Sequence, residues 1–110
     1  MQCNVTEQEG ALLVSLSGSV DLEHAGGVRK ALLGCLDRGG DITVSLAGVE
    51  YIDSSGIATL VEAYQLAREK GIGFVLSAVS AQALRVLKLA RLDRVFTIRD
   101  DPAPLPGAAG

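Results

Sequence analysis

The sequence predicts a single α/β domain built on a mixed sheet, and three observations lead there. Two stretches near the start alternate apolar and polar residues, the mark of a hairpin with one buried face. Beyond them, segments of helical period alternate with short apolar runs, a pattern that implies parallel strands joined by helical crossovers. The 110 residues, 48% hydrophobic and 21% charged, suit one compact core.

Cys3 and Val5 alternate with Asn4 and Thr6, a first strand that Gln8-Glu9-Gly10 ends. Leu12, Val14 and Leu16 form a second, which Gly18 is expected to close. Asp21 offers a cap or turn before a helix over about 24–37. There Val28, Ala31, Leu32, Cys35 and Leu36 follow the spacing of one buried helix face. After Gly39-Gly40, the residues Ile42, Val44 and Leu46 mark a third strand, and 48–55 reads as a connecting loop. A second helix runs over 55–70, with Ile57, Leu60, Val61, Tyr64 and Ala67 on its apolar face and Thr59, Glu62, Gln65 and Glu69 opposite. Arg68 and Lys70 in its last turn and Gly71 after it make a clear stop. Phe74-Val75-Leu76 reads as a central strand, Ser80 caps a third helix over about 81–90, and 95–98 is a last strand. The domain is thus expected over 1–99, with 100–110, which holds all three prolines, as a flexible tail.

Composition excludes several functions. A net charge of −3 argues against nucleic acid as a partner, because phosphate backbones are bound through excess Lys and Arg. No stretch reaches the roughly 18 apolar residues of a membrane span. Met1-Gln2-Cys3-Asn4 lacks the basic-then-apolar order of a secretory signal. Cys3 and Cys35 are too far apart for a CxxC pattern and are expected as buried free thiols, which suits a reducing cytoplasm. Enzyme readings start poorly. One histidine, His24, is present, best placed as a surface or helix-start residue. There is no GxSxG elbow and no GxxxxGK[ST] loop, and Gly71-Ile72-Gly73 lacks the third glycine of a dinucleotide fingerprint. No metal or cofactor is expected.

The informative stretch is Tyr51-Ile52-Asp53-Ser54-Ser55-Gly56-Ile57-Ala58-Thr59-Leu60. Its plainest reading is an N-cap, with Asp or Ser accepting bonds from the free N–H groups of a first helical turn. A cap does not need two serines behind an aspartate. Hydroxyls at a helix start lie beside free donors and the positive end of the helix dipole, where a phosphoryl group is stabilised without unfolding anything. Such a group would add about −1.5 to −2 charges beside Asp53. That is enough to switch a binding face.

The segment from Tyr51 to Ile57 closely resembles the signature of STAS domains, in particular bacterial anti-sigma factor antagonists. The similarity continues through Leu66 to Gly71, Leu76 to Val79 and Leu84 to Ile98, and Asp21 matches an early G-x-x-D. The resemblance implies four or five strands with helices packed mainly on one face. It implies that Ser54 accepts phosphate from an anti-sigma factor serine kinase, and that a phosphatase resets it. The implied partner surface comprises Asp21, Asp53, Ser54, Ser55, Gly56 and Thr59, with Asp53 positioning the hydroxyl and Gly56 letting the partner or the phosphate approach the helix start. The free protein is expected to be a cytoplasmic monomer and a binding module, not an enzyme. Family members often close with a further helix where this chain has its Pro/Ala/Gly stretch.

The alternative is a STAS subunit of a phospholipid-transporting ABC complex, some of which are short and similar around Gly56 to Gly71. Their loops often carry Thr-Gly or Ala-Gly, so Asp53-Ser54-Ser55-Gly56 favours the switch. Arg85, Lys88, Arg91 and Arg94 gather around the third helix, either as a solvated face or as a docking stripe for an acidic partner.

Overall fold

The computed structural model describes residues 1–99; the expected tail over 100–110 lies outside the described residues. Strands β1 (Gln2–Gln8) and β2 (Ala11–Val20) lead to helix α1 (Leu22–Arg38). Strand β3 (Ile42–Ile52), helix α2 (Ser54–Lys70), strand β4 (Phe74–Ser77), helix α3 (Ala81–Leu89), a single 3-10 turn (Leu92–Arg94) and strand β5 (Thr97–Arg99) follow. The sheet order is β1-β2-β3-β4-β5. β1 is antiparallel to β2, and every later pairing is parallel. The expected α/β class and mixed sheet are what forms.

The hairpin turns at Glu9 and Gly10, both with positive φ (54° and 84°), as a two-residue hairpin turn requires. Register then aligns Leu12 with Ile42 and Val14 with Val44, and Val44 with Leu76, so one face of the sheet is a continuous aliphatic layer. Val14, Val44, Leu46 and Leu76 are completely buried in it. Val5 lies over the same face and borders a groove with Lys30, Ala31 and Cys35, which places α1 above it. α2 packs beside α1, joined at the surface by a two-pronged bond from Arg29 to Glu62 (2.7 and 3.0 Å). That bond holds the Glu62 carboxyl below its usual range, with the proximity of the cation adding to it against partial burial. The core is aliphatic except for one cluster. Tyr64 of α2 meets Phe74 and Phe96 edge-on, with ring centroids 6.2 and 5.3 Å apart.

Boundaries differ from expectation in three places, the first being the last strand, expected over 95–98 and found at Thr97–Arg99. Gly18 does not close β2, which continues to Val20, and residues 48–52 are strand and not loop. The outer halves of β2 and β3 pair with each other through register shifts at 15–17 and 18–19. Gly18 supplies the positive φ (83°) that such an irregularity favours. Gly48 lets the strands close up, since a Cβ there would lie 2.8 Å from that of Ser17. Both glycines read as punctuation but serve inside the sheet. β4 stops short of this outer region, and the start of α3 lies alongside it. Ser80 donates its N–H to the Leu46 carbonyl (3.3 Å) and its hydroxyl to that of Val49 (2.7 Å).

Cys35 is buried and Cys3 half-buried, neither in a disulfide; burial pushes both thiols up. No helix among the described residues is long and apolar enough to cross a membrane.

Candidate functional site

Because β2 and β3 are parallel neighbours, the helices that follow them begin side by side at the same end of the sheet. Each begins with an aspartate in extended conformation, and each aspartate is the N-cap of its helix. Asp21 accepts from the His24 N–H (3.2 Å) and from the His24 ring Nδ1 (2.7 Å). Partial burial acts to raise its carboxyl, but the two His24 hydrogen bonds and the His24 charge prevail, and the net displacement is downward.

Asp53 does more. One oxygen accepts from the N–H groups of Ser55 (2.9 Å) and Gly56 (3.1 Å), capping α2. The other accepts from the N–H of Leu22 (3.1 Å), the first residue of α1. A single carboxylate thus satisfies donors at two helix starts, where negative charge is also favoured by both dipoles. The Asp53 N–H returns to the Val20 carbonyl (3.2 Å), so the bridge is fixed to the sheet. We expect Asp53→Ala to lower unfolding stability by about 2 kcal/mol, the upper end for loss of an N-cap. Asp53→Asn, which keeps an acceptor oxygen, should lose less. Urea denaturation of the three proteins checks this, and an Ala variant as stable as wild type would contradict the bridge.

Ser54 is the first residue of α2 and is exposed. Its hydroxyl has no hydrogen bond among the described residues, and Asp53, expected to position that hydroxyl, spends its oxygens on backbone N–H groups instead. Ser55 is half-buried, and its carbonyl accepts from the Thr59 hydroxyl (3.0 Å).

Two expectations for this surface are corrected. Thr59, placed on the polar side of α2, is only 7% exposed. Glu62, three residues on, meets Arg29, so this side of the helix faces α1, and Thr59 has little to offer a partner. Gly56 is buried as well, and the space beside it belongs to the protein. A Cβ there would lie 2.5 Å from the Val20 carbonyl oxygen and 2.8 Å from the Ile52 and Val20 side chains. Gly56 admits the sheet to the helix, not a partner. Sequence reasoning also passed over Leu22, 77% exposed beside Asp53, and Tyr51, 53% exposed at the end of β3. Their exposure at helix and strand ends is not encoded in any apolar period.

Among the described residues, the donors able to approach a cation are those of Asp21, Glu23 and His24, within 4.8 Å of one another. Asp21 is already bonded to the His24 ring and backbone, which is the arrangement of a cap. Arg85 and Lys88 lie on the exposed side of α3, with Arg91 and Arg94 exposed beyond it, and none forms an ion pair among the described residues.

The family model described as "STAS domain" matches residues 2–103. The chain belongs to the STAS domain family. Among STAS relatives, the anti-sigma-B factor antagonist of Bacillus subtilis is 24% identical, over 86% of this chain and 87% of the relative. The anti-sigma F factor antagonist of Paenibacillus polymyxa is 27% identical, over 92% and 88%. An anti-sigma factor antagonist from Mycobacterium paratuberculosis has a solved structure that superposes with a TM-score of 0.80 at 25% identity, covering 92% of this chain and 86% of that one. In this STAS domain the signature Asp53-Ser54-Ser55-Gly56 divides its labour: Asp53 caps and bridges, Gly56 packs, and Ser54 is left at the surface.

Proposed function

We propose that this STAS domain is an anti-sigma factor antagonist, a cytoplasmic binding module switched by phosphorylation of Ser54. One observation carries the reading. Asp53 already caps α2, so the exposed Ser54 hydroxyl has no structural duty at a helix start suited to a phosphoryl group. The names of the relatives point the same way.

Unphosphorylated and monomeric when free, the protein binds an anti-sigma factor serine kinase, which then releases its sigma factor. The Ser54 oxygen attacks the γ-phosphorus of the kinase's ATP, the bond to the β–γ bridging oxygen breaks, and ADP leaves. The serine proton passes to a base on the kinase. The new phosphoserine faces the remaining phosphates of the nucleotide and stands beside Asp53, and like charges brought together at an interface cost several kcal/mol. The complex separates, and a phosphatase hydrolyses the phosphoester to restore Ser54. Asp21, Asp53, Ser54 and the exposed edge of Ser55 form the surface.

The test is phosphopeptide mapping of the protein isolated from its native cells, with co-purifying partners identified in the same eluate. A phosphate on Ser54 and an ATP-binding kinase beside it are expected. An unmodified Ser54 accompanied by an ABC ATPase and permease would instead favour the transport-subunit reading.

A further inference from the structure

We infer that Leu22 is the apolar anchor of the kinase-facing surface, and that the kinase covers it with an apolar socket rimmed by Lys and Arg. This rests on the reading of Ser54 given above and adds the chemistry of the partner.

Leu22 is the first residue of α1, and its side chain is 77% exposed. It is held there. Its N–H is bonded to the same Asp53 carboxylate that caps α2 one residue before Ser54, so the exposed side chain and the phosphate acceptor are fixed to one support. A large apolar side chain left in water at a rigid position forgoes burial that a partner can supply. Tyr51, two residues before Asp53, is a second exposed large side chain, 53% exposed. The fully buried centre of a protein interface is more apolar than its polar rim.

The chain segments that build the surroundings of Leu22 carry charge of one sign. Asp21, Glu23, Glu50 and Asp53 stand in the segments that flank the site, and neither residues 1–28 nor residues 39–67 contain a single Lys or Arg. His24 is the one side chain there able to become cationic, and it is bonded to Asp21. A partner that removes water from these carboxylates must return positive charge, because unpaired charges are costly to desolvate. The attraction of the rim and the repulsion at Ser54 are separate in space: the first is spread over the ring, the second arises where phosphoserine meets nucleotide.

Leu89 supplies the control. It is 80% exposed on α3, yet it stands among Arg85, Lys88 and Arg91, a surrounding of opposite sign. Exposure alone predicts equal roles for the two leucines, and charge complementarity predicts different ones.

The experiment measures binding of the full chain and its variants to the kinase recovered with it from native cells, by surface plasmon resonance at two salt concentrations, which reads affinity and association rate together. Leu22→Ser is expected to bind at least tenfold more weakly with an unchanged melting temperature, and Leu89→Ser to bind as wild type. Glu23→Lys is expected to slow association, and wild-type association is expected to slow as salt rises. Wild-type affinity in Leu22→Ser, or equal losses in both leucine variants, overturns the anchor while leaving the Ser54 reading intact. Salt-independent association overturns the cationic rim. If no kinase is recovered, the Ser54 reading falls and this inference falls with it.

Discussion

Ser54→Ala should hold the anti-sigma kinase at full affinity and stay bound when ATP is added, whereas Ser54→Asp should bind about a hundredfold more weakly, a difference of about 2.8 kcal/mol. The asymmetry follows from the division of labour at the start of α2. Removing the hydroxyl takes away no hydrogen bond found among the described residues, so the Ala variant should keep its fold and its surface. Placing a carboxylate there sets a second anion beside Asp53, which cannot turn away because its oxygens are bonded to Leu22, Ser55 and Gly56. The added charge then faces the nucleotide of the kinase, on a segment, residues 39–67, that contains no Lys or Arg. Titration of each variant against the kinase with bound ADP gives the answer. Equal affinities for the two variants would refute a charge-operated switch at this serine.

Gly56→Ala should be the most damaging small substitution at the site, lowering unfolding stability by about 3 kcal/mol. The added methyl would be 2.5 Å from a backbone oxygen, that of Val20, which also accepts from the Asp53 N–H. It would also press on Ile52 and Val20, both buried at the ends of their strands. A flexible side chain can give way, but a strand carbonyl held by a hydrogen bond gives way only by moving the helix. For a domain of this size a loss of 3 kcal/mol lowers the melting temperature by roughly 10–20 °C. Thermal unfolding followed by circular dichroism reads this directly. A melting temperature close to wild type would mean that the start of α2 shifts freely, and that Gly56 is kept for a partner after all.

The fold was largely legible because its elements obey simple periods. Leu12, Val14 and Leu16 alternate as a half-buried strand must, and Val28, Leu32, Cys35 and Leu36 recur as one helix face must. Gly71 after Arg68 and Lys70 stops α2 as read, with the N–H groups of Gly71 and Ile72 returning to Arg68 and Ala67. The misreadings fall where a residue's role is set by something far away in the chain. Gly18 and Gly48 look like breaks, but the parallel neighbour makes them an irregularity and a close approach inside the sheet. Thr59 looks polar and outward until α1 arrives beside it. Asp53 was recognisable as a cap, since its partners are two and three residues on. Its second bond, to Leu22, was not, because the sequence carries no mark of it across 31 positions.

That long-range bond ties the surroundings of Ser54 to the folded state. A short peptide from the Ser54 region would carry the acceptor hydroxyl but neither the first turn of α1 nor Leu22. The two helix starts come together only after β2 and β3 have paired in parallel and α1 has crossed between them. A kinase that reads Asp21, Leu22 and Ser54 as one surface therefore reads the tertiary structure of its client. Chains still emerging from synthesis, or misfolded after it, present the serine without its address. Under the proposed switch they would neither titrate the kinase away from its sigma factor nor consume its ATP, and the circuit would respond to folded antagonist alone.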